Sequence, residues 1–291
     1  MSESLDNFDN AIGIIKKQLA DLESRRMALD IAESNKAANP YFRKGTRKLA
    51  EFFYSKGYLI VGLEDGVGKN YPLAKQIYAC LSVSWDFISK LLKQKKGKFI
   101  YETDSFDDAS RNKLDILCRN LKTSGMIDFR IDGTCFDVTV TCSNAQRFYL
   151  AGECYEEANR YLIDKTIRAF SSSQSNPISH KVYRNIMLKK ASSHNDKVND
   201  MQLDFVVEFA DRFYVFETKA GQKLYIDKWV DRTRLFNGEK DRFITCCLQE
   251  FNPKTFEPFL LLPMKTLEKD FTELLGREFP SDIAPGKAAD I

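Results

Sequence analysis

The chain has 291 residues, with 44 Lys and Arg against 41 Asp and Glu, a formal net charge of +3, and 43% apolar residues. That length suits two domains and permits a packed core, while so small a net charge does not by itself argue for nucleic acid. Seven cysteines with no C-x-x-C spacing exclude a disulfide framework and the usual zinc patterns. With no signal peptide and no apolar run of spanning length, the chain is expected in the cytoplasm and off the membrane.

The first segment predicts a helix. Leu5, Phe8, Ile12, Ile15, Leu19, Leu22 and Leu29 step by three and four, an a/d heptad pattern interrupted by Arg26. Pairing with a second copy to give a homodimer and packing on its own domain are both open readings of that stripe. Ser34 to Pro40 is polar and is expected to end the helix. From Tyr41 to about Thr141 a mainly helical module is expected. It has a helix over Arg47 to Ser55, one or two over Pro72 to Gln94, and one from about Ala109 to Ser124 closed by Gly125. Asp132-Gly133, between Phe129-Arg130-Ile131 and the run Cys135 to Val140, predicts a hairpin. Helices followed by a hairpin resemble a winged helix, a fold that binds DNA or serves as a dimerisation or linker module.

Two basic clusters punctuate this module. Lys90, Lys93, Lys95, Lys96 and Lys98 crowd one segment; Arg43, Lys44, Arg47 and Lys48 crowd another. Each is a candidate phosphate-binding face or a solvated surface, and Lys93, Lys95 and Lys96 are carried as nucleic-acid-binding candidates. The glycine-rich stretch Gly62 to Asn70 is not a phosphate loop. Its spacing is wrong for G-x-x-x-x-G-K-[ST], and Asn70 stands where a hydroxyl is needed.

The C-terminal segment opens with Gly152-Glu153-Cys154-Tyr155-Glu156-Glu157, the start of a helix running to about Phe170. Acids there also suit a plain helix N-terminus. A strand over Lys181 to Lys189 and a polar loop from Ala191 to Asp200 follow. Then two runs rich in Val, Phe and Tyr flank a polar point at Ala210-Asp211-Arg212, an antiparallel hairpin. A two-residue turn at Ala210-Asp211 puts Asp204 directly across from Glu217, and strand alternation puts Glu217 and Lys219 on one face. Facing carboxylates repel and destabilise a sheet. A divalent cation would offset that cost, and hard oxygen ligands suit Mg²⁺. The rival is a surface hairpin whose charges only meet water. A helix over Asp227 to Phe236, a strand over Phe243 to Leu248, a short strand over Pro258 to Pro263 and a helix over Leu267 to Leu275 complete the pattern.

Asp204 followed by Glu217-Thr218-Lys219, with helix and strand after them, resembles the core of the PD-(D/E)XK nuclease superfamily. Gly152, Tyr155 and Glu156 line up with the Gly-x-Trp-Leu-Glu helix start of the nuclease domain found in CRISPR-associated effectors, with Tyr for Leu and Cys154 for Trp. Glu153 and Glu157 remain alternatives to Glu156. The resemblance covers the C-terminal half. It implies an α/β chain with a restriction-endonuclease-like mixed sheet flanked by helices, over residues 146–280. Before it come the helix of residues 1–39, with its coiled-coil pattern, and the winged-helix-like module of residues 40–145. Residues 281–291 are expected to be a disordered tail.

The resemblance further implies an Mg²⁺- or Mn²⁺-dependent endonuclease, DNA preferred over RNA, in a defence or mobile-element setting by analogy only. Asp204, Glu217 and the Thr218 carbonyl would hold the metal. Glu156 would hold a second ion or its water, and Lys219 would orient the attacking water and stabilise the phosphorane charge. Gln222 and Lys223 would touch the phosphate backbone. The doubly wound nucleotide-sensing half usual in those effectors is not visible, so a cyclic-oligonucleotide trigger is not carried over. His180 and His194 sit beside no nucleophile motif, which disfavours a nucleophilic hydrolase. The rival from another class is a dimeric nucleic-acid-binding or scaffold protein with an inactive nuclease-like domain.

Overall fold

A computed structural model of the chain describes residues 2–43, 45–64, 71–94, 97–193, 200–220, 226–248 and 260–280, with backbone only for residues 2–12, 82, 226 and 227. The expectations for Lys95, Lys96, His194, Gln222, Lys223, the 281–291 tail and the side chains of Leu5, Phe8 and Ile12 lie outside the described residues. So do most of the Gly62 to Asn70 loop and of the 191–200 loop. The chain divides into two compact units, Met1–Glu64 with Asn185–Leu203, and Asp65–Arg184 with Asp204–Ile291.

In the first unit, helix α1 spans Ser2–Ala38. It runs past Ser34, where the polar stretch was expected to end it. Polar side chains do not stop a helix; Pro40, which lacks an N–H, does. Asn39 caps the next turn by accepting from the Tyr41 N–H, and its amide donates to the Ile60 carbonyl. Ile15, Leu19, Leu22 and Leu29 are all more than half exposed along α1. Helix α2, Arg47–Ser55, buries Leu49, Ala50, Phe52 and Phe53. Strand β1, Tyr58–Glu64, was not anticipated. Its neighbour carries Met187, whose sulfur would lie 3.0 Å from a Cβ at Gly62. A bare backbone is what that close approach needs.

The second unit begins with α3 (Tyr71–Ala79) and α4 (Leu81–Lys93), broken at Cys80. Strand β2 (Gly97–Glu102), helix α5 (Asp108–Thr123), and strands β3 (Ile127–Asp132) and β4 (Cys135–Val140) follow. Asp107 caps α5 by accepting from the Ser110 N–H. Gly125, at φ 68°, lets the chain leave that helix. The three strands form an antiparallel sheet in the order β2-β4-β3. The hairpin was expected to turn at Asp132-Gly133, but Asp132 pairs with Cys135 and the loop is Gly133-Thr134. Gly133 takes the positive φ at the first loop position, which shifts the turn by one residue.

A short helix α6 (Asn144–Phe148), held by a Ser143–Gln146 capping box, runs through a π turn at Tyr149–Glu153 into α7 (Cys154–Ser173). Strands β5 (His180–Lys190), β6 (Met201–Phe209) and β7 (Arg212–Lys219) come next. Helix α8 (Ile226–Phe236), strands β8 (Arg242–Cys247) and β9 (Leu260–Pro263), and helix α9 (Leu267–Glu278) end the described chain. In the larger sheet of the second unit, β6, β7, β8 and β9 are neighbours in that order. It is mixed: β6 and β7 pair antiparallel, while β7, β8 and β9 run parallel. Helix α8 is the crossover between two parallel neighbours.

Aromatic packing fixes the centre of this unit. Phe205 and Phe216 stack at 4.5 Å across the hairpin, and Phe271 of α9 meets Phe216 edge-on at 5.6 Å. Glu278 at the end of α9 takes Arg212 at 3.0 Å, Arg242 at 2.8 Å and the Tyr214 hydroxyl at 2.5 Å. One carboxylate thereby ties α9 to β7 and β8. All seven cysteines are free thiols. No helix among the described residues is long and apolar enough to cross a membrane.

The β6–β7 turn carries a local strain. Ala210 sits at φ 57°, where an L side chain crowds the backbone. The left-handed conformation costs about 1–2 kcal/mol, partly offset in a glycine variant by roughly 0.5–1 kcal/mol of unfolded-state entropy. Ala210→Gly is therefore expected to stabilise the chain by roughly 0.5–1 kcal/mol in urea unfolding.

Candidate active site

The β6–β7 register runs from Phe209 opposite Arg212 to Phe205 opposite Phe216. That offset is the one expected from a turn at Ala210-Asp211, and Asp204 and Glu217 occupy its next step. Asp204 Oδ2 accepts from the Thr218 N–H at 2.5 Å. Glu217 is 2% exposed, an acidic group between Phe216 and Thr218 and opposite Thr245 of β8. Burying a carboxylate demands partners, and three cations supply them. Lys219, two residues on and on the same face, lies 2.9 Å from Oε1. Lys228 of α8 lies 3.5 Å from the same oxygen. Arg232, one turn further along α8, bonds Oε2.

Helix α7 packs against β7 from the other element of the site. The Asn159 amide donates to the Thr218 hydroxyl at 3.1 Å, and its Oδ1 is buried with no hydrogen-bond partner among the described residues. Glu156 lies one turn before Asn159 and faces the same carboxylates. Burial, then Glu153 and Glu217, push its carboxyl up to about 7, while Lys219 pulls it down. Burial, then Glu156 and Glu217, hold Asp204 well above the usual carboxylate range, against the Thr218 N–H and Lys219. The three acids therefore sense one another. Glu157 points elsewhere: it accepts from the Tyr149 hydroxyl at 2.8 Å and lies 4.0 Å from Arg184.

The structure thus brings Asp204, Glu217, Thr218, Lys219 and Glu156 together. Lys93 stands exposed in the last turn of α4. His180 bonds Asp164 at 2.9 Å. Three partners were not anticipated from sequence: Asn159, Lys228 and Arg232. Arg232 had a signal. Trp229, Arg232, Thr233 and Phe236 are the buried stripe of α8, and a charge inside a helical stripe needs a partner across the interface.

Among the described residues, no three His, Cys, Asp or Glu side chains close around one point as a ready metal cage. The chemistry of the donors nonetheless fits a hard divalent cation. Burial and the neighbouring acids hold Glu156 and Asp204 above the usual carboxylate range, and among the described residues the charges answering Glu217 are side chains on flexible stems.

These shifts set a pH dependence. Between about 4.5 and about 7 the native Glu156 holds a proton that the unfolded chain releases. Stability without metal therefore falls as pH rises through that window and levels off above it. Asp204 acts in the same direction. Glu156→Gln is expected to flatten this fall, with a higher melting temperature than wild type at pH 8 and little difference at pH 4, measured in EDTA.

No family model matches the chain, and no curated protein matches its sequence. Its structure is similar to protein VC1899 from Vibrio cholerae, at 12% identity and a TM-score of 0.47, over 80% of this chain and 61% of that one. It is also similar to Can2 from Sulfobacillus thermosulfidooxidans, solved in complex with cyclic tetra-adenylate. That match has 15% identity and a TM-score of 0.51, over 77% of this chain and 60% of Can2. The chain spans about three fifths of the length of each neighbour. The likeness to Can2 is one of fold, and at 77% of this chain it extends beyond the C-terminal half that carries the motifs.

Proposed function

We propose that the chain is a metal-dependent nuclease of the PD-(D/E)XK type, cutting phosphodiester bonds of nucleic acid, with DNA preferred over RNA. The observation that carries this reading is the meeting of Asp204, Glu217, Lys219 and Glu156 at one end of the hairpin, under α7. A mixed sheet flanked by helices agrees with the restriction-endonuclease-like core. A defence or mobile-element setting is carried as family-level analogy from the resemblance to nuclease domains of CRISPR-associated effectors. The nucleotide bound to Can2 is not carried over.

Asp204, Glu217 and the Thr218 carbonyl, with Glu156 beside them, would hold Mg²⁺ or Mn²⁺, which when bound supplies Lewis acidity toward the phosphate. The chain's own groups do the rest. Asn159 fixes the Thr218 side chain and with it the strand end. The Thr218 N–H holds Asp204 in place. Lys219 presents an ammonium group that orients the attacking water and meets the charge that grows on the phosphate oxygens. Charge preorganised in this way is commonly the largest catalytic term. In the reaction the water oxygen forms a new bond to phosphorus, one ester P–O bond breaks, and the leaving oxygen takes up a proton.

Supercoiled plasmid and labelled single-stranded DNA and RNA, with Mg²⁺, Mn²⁺ or EDTA, test the reading. Cutting is expected only with metal. Lys219→Ala and Glu217→Ala should each lower the rate by about 100-fold or more, as loss of a preorganised group does, with Lys219→Ala still binding substrate. Unchanged cutting by Lys219→Ala would overturn the assignment. The rival reading, a nucleic-acid-binding scaffold, has one observation in its favour: Glu217 is already neutralised by the chain's own cations. A scaffold should show no Mn²⁺-dependent rise in melting temperature.

The partner in solution is proposed to be a second copy, joined through α1. Ile15, Leu19, Leu22 and Leu29 hold a and d positions and are exposed in the monomer, the arrangement a coiled-coil seam uses. The segment 40–145 is proposed as a winged-helix-like module built on α3, α4, α5 and the β2-β4-β3 sheet, with Lys113, Arg119 and Lys122 exposed on α5. Leu19→Glu with Leu22→Glu is expected to convert a dimer to a monomer in sedimentation equilibrium while leaving the melting of the folded units unchanged.

A further inference from the structure

Glu217 Oε1 is shared by two ammonium groups that are not equivalent. Lys219 lies 2.9 Å away with its side chain 25% exposed; Lys228 lies 3.5 Å away with its side chain 49% exposed. The other oxygen belongs to Arg232, whose side chain is buried. A single negative charge therefore meets three positive ones, and two ammonium groups on one oxygen repel each other. Their claims on Glu217 differ. A buried guanidinium cannot leave its carboxylate without a large desolvation cost. Lys219 also lowers the proton affinity of Asp204 and Glu156, so three acids answer its charge. Lys228 is the surplus cation. Its contact is longer than a good N–H···O bond. Half its side chain meets solvent, and it shares the site-facing side of α8 with Arg232, four residues on.

We propose that Lys228 is a contact for the substrate phosphate and that Arg232 is the positioning residue that keeps Glu217 aimed at the site. The identity of the ligand as a nucleic-acid phosphate rests on the nuclease reading above. Lys228 lies in the first turn of α8. An approaching phosphate oxygen gives Lys228 a partner of its own and ends its competition with Lys219 for Oε1. Arg232 works through Glu217 and touches no substrate.

The test uses the full chain with short labelled duplex DNA, single-stranded DNA and RNA. Binding is measured by anisotropy in EDTA and in Ca²⁺ over a range of salt, and cutting is measured in Mn²⁺. Lys228→Gln is expected to weaken binding by roughly 5- to 10-fold at low salt and to flatten the log-log salt slope by about one phosphate contact. KM should rise more than kcat falls, and Lys228→Arg should restore most of the affinity. Arg232→Lys should lower kcat while keeping the wild-type salt slope. Wild-type affinity and slope in Lys228→Gln, or a loss confined to melting temperature, would overturn the proposal even if the enzyme cuts. If the wild type binds without cutting, the hydrolytic reading falls, and the salt slope of Lys228→Gln alone decides for or against Lys228. If the wild type binds none of the three nucleic acids, both readings fall.

Discussion

A carboxylate that is nearly solvent-free, Glu217, organises this half of the molecule. Removing such a group from water costs several kcal/mol unless it is paired and hydrogen-bonded. Its strand neighbours Phe216, Thr218 and Thr245 carry no charge, so the pairing comes from outside the hairpin or from two residues along it. Lys219 supplies the second route, and Arg232 and Lys228 supply the first. That need fixes the phase of α8. The helix must bury Trp229 and Phe236 against the sheet while turning Arg232 toward β7. Only one rotation satisfies both, which couples the packing of the crossover helix to the electrostatics of the site.

A second constraint acts in the opposite sense. For Asp204 and Glu156, burial outweighs the pull of Lys219. Burial and one another hold their carboxyls protonated to unusually high pH. The hairpin tolerates this because its other side chains are heavily packed. Phe205 on Phe216 and Phe271 against Tyr214 and Phe216 of β7 supply burial worth about 1.5–3 kcal/mol per ring. The acids also sit on a strand and a helix rather than on a loop, so the strain is held in place by regular structure. A site that stores repulsion on rigid elements is set to accept positive charge.

Much of this arrangement was legible because strands and turns leave simple marks. Two apolar runs around Ala210-Asp211 were enough to set the β6–β7 register from Phe209 opposite Arg212 to Phe205 opposite Phe216. Other features were hidden for physical reasons. β1 reads as a short apolar run, which looks the same in a buried strand and a buried helix. β2 follows a lysine cluster that masks its alternation. The choice among Glu153, Glu156 and Glu157 depends on helix phase, and a π turn at Tyr149–Glu153 resets that phase just before α7 begins. An insertion of this kind rotates every later side chain and has no reliable sequence signature. Arg232 was readable in principle, as a charge in a buried stripe, but its partner lies on another element and is a matter of tertiary structure.

The internal cations bear on how the site is assembled. A cluster of acids with no neutralising partners would make folding depend on metal, as it does where the ligands are the core. Here Glu217, the most buried of the acids, is fully answered by Lys219, Lys228 and Arg232. The charge on Glu217 is therefore offset by side chains of β7 and α8 themselves. The cost is a standing competition, because anything positive that comes to Glu217 must displace a cation already there. Buried Arg232 on Oε2 is the hardest to move, and half-exposed Lys228 on Oε1 the easiest. The order of displacement follows from burial alone, and it opens the site on the side where Oε1 faces Lys219 and the first turn of α8.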